Sequence, residues 1–248
     1  MCIRDRVSSG LGLLALDAAT TFRLDDAGRI LRENDLDASP GPRAFIAGCA
    51  AGNLVHVRVD IAASVAAEIA ALVAAEPPWI DPGASPGCVG QVARLLGLPA
   101  DCGEVGFNYA LPPREAAPGV RFVCCDTGEG DRLLAALRRD GVPAHLLAAG
   151  FASVEDFWAP WCVAIEDGVI AAIAFAARLA PRSAAVGVYA FPGYRGRGLA
   201  ASVTARWTGL TALADHALFY GTSAANVSSQ RVAARLGLPR IGLGLRLA

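Results

Sequence analysis

Val169 to Ala177 is an unbroken apolar run, closed by Gly168 on one side and Arg178 on the other. A membrane-spanning helix needs ~20 such residues, so this run is too short to cross a bilayer and reads as a buried strand. Trp161 to Ile165 precedes it. The Glu166-Asp167-Gly168 link between them is a tight-turn signal that folds two strands into a hairpin. Ala184 to Phe191 supplies the next strand. A chain carrying this pattern must build a sheet in its C-terminal half.

The third strand runs into Phe191-Pro192-Gly193-Tyr194-Arg195-Gly196-Arg197-Gly198-Leu199-Ala200, which joins it to a helix. Leu199, Val203, Trp207, Leu210 and Leu213 recur at helical steps after Gly198. Glycines let a backbone approach an anion without a Cβ in the way. The free N–H groups and the dipole at a helix start favour negative charge, and arginines add donors that match phosphate oxygens. The segment therefore reads as a pyrophosphate cradle. It has neither the spacing of a P-loop nor that of a dinucleotide-binding fingerprint. Beyond it, Ala217 to Tyr220 is a strand, Asn226 or Ser228 caps a helix with Val232 and Leu236 inward and Gly237 as its stop, and Ile241 to Leu247 is a final strand.

The first half is less informative. Asn53 to Asp60 alternates, with Val55, Val57 and Val59 on one face. Ser64 is placed to cap a helix carrying Val65, Ile69, Leu72 and Val73, stopped by Pro77-Pro78, and Val89, Val92, Leu95 and Leu96 mark a shorter helix. Pro and Gly punctuation from Leu111 to Gly119 sets a boundary, giving an N-terminal α/β region of residues 1–117 and a second domain of residues 118–248. Val120 to Cys125 opens that domain as a strand, followed by a helix with Leu133, Leu134 and Leu137 on one face, ending near Gly141, and a short amphipathic segment from His145 to Trp158.

Composition removes several function classes. The 248 residues carry 22 Lys+Arg, all of them arginine, against 23 Asp+Glu. A net charge of -1 gives no global attraction to nucleic acid or anionic lipid, so neither nucleic acid nor a membrane is expected as a partner. Mean hydropathy is +0.42, but Leu11 to Leu16 is short and leads into Asp17, so no signal peptide is expected. Met1 to Arg6 matches no functional pattern and fits a non-native extension. The seven cysteines, Cys2, Cys49, Cys88, Cys102, Cys124, Cys125 and Cys162, include no CxxC pair, which suits reduced, buried thiols in a cytoplasmic protein. His56, His145 and His216 are scattered, so no metal site is expected.

Arg195-x-x-Gly198-x-Ala200, after the strand ending Ala190-Phe191-Pro192-Gly193-Tyr194, resembles the [QR]xxGx[GA] signature of the GNAT acetyltransferases. Asn226-x-x-Ser229, followed by Val232, Leu236 and Gly237-Leu238, is similar to that family's Asn-initiated helix. The two motifs stand in the family's order, and the resemblance covers roughly residues 120–247. It implies a mixed α/β fold with a central, mostly antiparallel sheet flanked by helices, preceded by the smaller N-terminal α/β region. It implies an N-acetyltransferase (an acyltransferase, EC 2.3.1.-) moving an acetyl group from acetyl-CoA to a primary amine, on a small molecule or a peptide, by direct attack in a ternary complex.

The same resemblance assigns residues. Backbone groups of Val188, Tyr189 and Ala190 would pair with the pantetheine arm, one N–H serving as oxyanion donor. Those of Arg195, Gly196, Arg197, Gly198, Leu199 and Ala200 would hold the pyrophosphate. Asn226 and Ser229 would contact the pantetheine or phosphate end. The chain departs from the family in its acid and base. Residues 184–189 contain no carboxylate, and Ala233 stands where many relatives have a Tyr. Tyr189, and Ser229 as a proton donor to sulfur, are the catalytic candidates that remain. Trp158 and Trp161 fit core packing better than an acceptor pocket, and Glu155 and Asp156 fit a solvated helix start. A non-catalytic acyl-CoA-binding module is the alternative. The N-terminal region fits a diverged GNAT-like domain or a partner-binding module, and the protein would be a monomer or homodimer.

Overall fold

The computed structural model describes residues 10–99 and 102–248; the readings of Met1 to Arg6 and of Cys2 lie outside them. In chain order the elements are α1 (Gly10–Thr21), β1 (Phe22–Leu24), β2 (Ile30–Glu33), β3 (Ala44–Cys49), β4 (Gly52–Val57), α2 (Ala63–Ala75), α3 (Val89–Leu95) and β5 (Gly103–Ala110). There follow β6 (Arg121–Cys124), α4 (Gly128–Asp140), α5 (Ala144–Leu147), β7 (Trp161–Glu166), β8 (Val169–Ala180), β9 (Ser183–Ala190), α6 (Leu199–Thr208), β10 (Ala217–Ser223), α7 (Val227–Arg235) and β11 (Arg240–Leu247). This is a mixed α/β protein built on mostly antiparallel sheet with helices against it. Among the described residues no helix is long and apolar enough to cross a membrane.

The chain forms two compact units. The first holds the described residues up to Ala110 with Gly221–Gln230 and Pro239–Ala248, and the second holds Leu111–Tyr220 with Arg231–Leu238. A simple division at residue 117 therefore does not describe the structure. The change falls after Ala110, and the last strand returns to the first unit. The cause is strand pairing: β11 is hydrogen-bonded between β3 (Leu243↔Gly48 to Leu247↔Ala44) and β5 (Leu243↔Phe107 to Leu247↔Gly103), antiparallel to both.

In the first unit β3 also pairs with β4, and both faces of β3 are covered. Ile46 lies in a core with Ile69, Val73, Trp79 and Val92. Phe45 and Ala47 lie in another with Leu14, Ala18 and Phe22 of the α1 side. Doubly covered strands lose polar alternation. α2 starts at Ala63 and has no side-chain cap, so Ser64 sits inside the first turn. Ile61, buried in the same core as Ile69, fixes the helix entry ahead of Ser64.

In the second unit the strand order is β6-β7-β8-β9-β10. The first three pairings are antiparallel, and β9–β10 is parallel. Asp167 and Gly168 both take left-handed φ values, 52° and 79°, as a two-residue hairpin turn demands. One sheet face carries Val163, Ile173, Trp161 and Phe191 in a core with Leu137, Leu146 and Phe151. The opposite face is mostly small, with Cys162, Ala164, Ala172 and Ala174 fully buried. That lets α6 lie close, and Trp207 of α6 donates its Nε1–H to the Pro160 carbonyl at 2.8 Å.

Candidate anion cradle and open strand edge

β9 is the strand that organises the site. Its register with β10 spans Ser183, Ala184 and Ala185 only, while its pairing with β8 continues to Ala190. From Val186 onward one edge of β9 is open in this register. The Phe191 N–H donates to the Ala171 carbonyl at 3.0 Å, which fixes the alternation of the ladder. Residues 191, 189 and 187 spend their main-chain groups on β8, and residues 190, 188 and 186 turn theirs the other way. Val188 and Ala190 thus present main-chain groups to the open edge, whereas those of Tyr189 belong to the β8 ladder. The Ala190 carbonyl accepts from Arg195 Nε at 3.1 Å, consistent with that direction.

The strand then enters the loop read as a cradle. Gly193, Gly196 and Gly198 all have left-handed φ values of 88°, 77° and 82°, a conformation costly to any residue with a Cβ. Gly198 is the N-cap of α6, and no side chain caps the helix. The first intrahelical bond is Ser202 N–H to Gly198 O. The N–H groups of Leu199 and Ala200 therefore have no intrahelical acceptor and stand at the positive end of the helix dipole.

The two arginines of the loop are engaged elsewhere. Arg195 folds back over β9, its Nη2 donating to Tyr189 Oη at 3.0 Å and its guanidinium 5.5 Å from the ring centre. Arg197 pairs with Glu166 at 3.0 Å and lies 5.4 Å over the Tyr194 ring. The cation over the helix start is Arg235, which sequence reasoning missed. A Cβ built on Gly198 would stand 2.7 Å from Arg235 Nη1. Arg235 is the last residue of α7, and its one visible signal is its place two residues before Gly237.

Asn226 and Ser229 fall in the first unit and the cradle in the second. Asn226 Oδ1 accepts from the Ser229 N–H at 3.0 Å, a helix N-cap bond. The Tyr189 ring packs edge-on against Phe151 and Phe191. Ala233 is 1% exposed, a core position for a small side chain. Glu155 pairs with Arg138 at 3.6 Å, and Asp156 closes a capping box with Ser153. Trp161 is core at 2% exposed, and Trp158 packs edge-on against Phe175. His145 is held by the Ile170 carbonyl at 3.0 Å. Among the described residues no group of three or more His, Cys, Asp or Glu could hold a metal ion.

No family model matches this sequence, and no curated protein matches it. The structure is similar to solved structures of GNAT acetyltransferases. An acetyltransferase from the GNAT family of Colwellia psychrerythraea matches at 18% identity and TM-score 0.39, over 58% of this chain and 56% of its own. A GCN5-related N-acetyltransferase of Kribbella flavida matches at 18% identity and TM-score 0.39, over 62% of each chain. One of Sphaerobacter thermophilus matches at 12% identity and TM-score 0.41, over 85% of this chain and 78% of its own. The matches span less than two thirds of the Colwellia and Kribbella proteins.

Proposed function

We propose that the protein is an N-acetyltransferase that takes acetyl-CoA as co-substrate and a primary amine as acceptor. The observation that carries this reading is the open edge of β9 running directly into a three-glycine turn at an uncapped helix start. An extended amide-bearing arm added along Val188 and Ala190 would make strand-like hydrogen bonds, and a pyrophosphate following it would reach the N–H groups of Leu199 and Ala200. Arg235 adds a full positive charge at that point, and its bidentate fork suits phosphate oxygens. Coenzyme A combines these two chemistries in this order.

The reaction follows from positioning. The amine nitrogen attacks the thioester carbonyl, a main-chain N–H at the open edge stabilises the developing oxyanion, and the carbon–sulfur bond breaks to release the CoA thiolate. The amine's proton leaves to water, since β9 carries no carboxylate. Holding amine and thioester together supplies much of the acceleration. Tyr189 Oη accepts from Arg195, and in this reading the ring shapes the site beside the thioester. A non-catalytic acyl-CoA-binding module is the second reading, favoured by buried Ala233 where an acid would be needed.

Thermal unfolding with and without acetyl-CoA tests the cofactor. A ligand at ~100 times its Kd adds ~2.7 kcal/mol to native stability, so the midpoint should rise with acetyl-CoA and stay put with acetate. No rise at millimolar acetyl-CoA would sink the assignment. Thiol release with a panel of primary amines then separates enzyme from binding module. Intersecting initial-rate lines at varied acetyl-CoA and amine are expected of direct transfer in a ternary complex.

A further inference from the structure

We propose that Cys124 and Cys162 form an oxidation site that closes into a disulfide and locks β6 to β7. The two residues are direct cross-strand partners in the β6–β7 register. The next pair, Cys125 and Trp161, is hydrogen-bonded, with the Cys125 N–H donating to the Trp161 carbonyl at 3.1 Å. Alternation therefore makes Cys124 and Cys162 the narrow, non-hydrogen-bonded kind of pair, with Cα atoms ~4.5 Å apart. That lies inside the ~4.4–6.8 Å window that disulfides require. The Sγ atoms are 2.8 Å apart, closer than the ~3.5–4.0 Å at which unbonded heavy atoms rest. The bond thus forms with side-chain rotation and little backbone movement.

The neighbouring thiol does not compete. Successive strand residues point to opposite faces, and Cys125 Sγ instead accepts from the Trp161 N–H at 3.2 Å. Cys124 is the attacking partner. The Cys162 thiol donates to it, and Arg206 lies close enough to favour its thiolate, so its pKa falls below the usual thiol value despite burial. The same contact together with burial holds Cys162 protonated.

The oxidant is a hydroperoxide, hydrogen peroxide in the simplest case. The Cys124 thiolate attacks one peroxide oxygen, the O–O bond breaks, and a sulfenic acid and hydroxide form. The Cys162 sulfur then attacks the Cys124 sulfur, expels hydroxide and loses its proton to it. The sum is two thiols and one hydrogen peroxide giving one disulfide and two waters. β6 is the outermost strand of its sheet and leads through Asp126 and Thr127 into α4. The cross-link would tie that edge, across 38 positions of sequence, to the strand beside it.

The test is peroxide treatment of the reduced full-length protein, then alkylation in denaturant and non-reducing peptide mapping. The expected result is a 2 Da mass loss and a cross-linked peptide joining Cys124 to Cys162. A melting temperature about 10 °C higher, reversed by dithiothreitol, should accompany it. Cys125→Ala should keep the cross-link, and Cys124→Ala should lose it. A Cys124–Cys125 or Cys125–Cys162 bond overturns the proposal. So does a Cys124 sulfinic acid beside an alkylated Cys162, or recovery of both thiols unmodified. The wild-type peptide map decides among these outcomes even where a variant folds poorly.

Discussion

β11 in the first unit and β9 in the second end very differently. β11 has a partner on each side and its glycines are filled space: a Cβ on Gly242 would stand 2.5 Å from the Gly48 carbonyl oxygen and 2.7 Å from Leu14 Cδ1. β9 loses its second partner after Ala185, and the first two glycines that follow it face open space, with nothing within 4 Å of a Cβ built on Gly193 or Gly196. The same residue type thus serves close packing in one strand and free backbone in the other. The second arrangement leaves main-chain donors for a ligand, and the first leaves none.

The largest break in this contrast is Gly242→Ala. Its Cβ would press on a backbone oxygen that cannot swing away, so a loss of about 3 kcal/mol is expected in denaturant unfolding. Gly196→Ala meets only its left-handed φ, at about 1 kcal/mol. Equal losses would show that the packing difference is illusory.

Next in size is a pH effect confined to the first unit. Asp17 of α1 is buried, with Asn108 Nδ2 donating to it at 2.7 Å, and burial raises its pKa from 3.8 to about 7 despite that bond. The folded state therefore keeps this proton while the unfolded state loses it. The contribution is fully present below pH ~4, declines between pH ~4 and ~7, and stays low above, by a few kcal/mol in all. Asp17→Asn should flatten that decline and stabilise the protein at pH 8. A variant with the wild-type slope would assign the decline to another group.

Gly198→Asp should leave a folded protein whose acetyl-CoA affinity is at least about 100-fold lower by calorimetry. The new carboxylate would take the helix dipole and pair with Arg235 in place of phosphate. Unchanged affinity would remove the cradle. Arg235→Ala should cost about tenfold, one charge-assisted contact. Arg197→Ala should cost less than about threefold, because Glu166 and Tyr194 already hold that side chain. If Arg197 proved the more damaging loss, the phosphate would be held by the loop's arginines and not by Arg235.

The sequence was most legible where local chemistry and periodicity agree. The Asp167-Gly168 turn, β8, and α6 with its glycine start stand close to where the pattern put them. α1, β3 and β5 gave no readable signal; in β3 all six residues are buried, and a strand covered on both faces loses its alternation. The division of the chain was misplaced for a similar reason. Proline and glycine mark where a chain turns, and they do not mark which strand a distant segment will join.

Of the candidate site, residue types and spacing determined the cradle: glycines at 193, 196 and 198, then a helix start. Tertiary structure alone decided which groups could serve it. It turned the Arg195 and Arg197 side chains onto protein partners, brought Arg235 of α7 over Gly198, and gave the open edge to Val188 and Ala190 in place of Tyr189. The physical reason is that hydrogen-bond direction alternates along a strand, and charges find partners by proximity in space. Neither is a property of a residue and its neighbours in sequence.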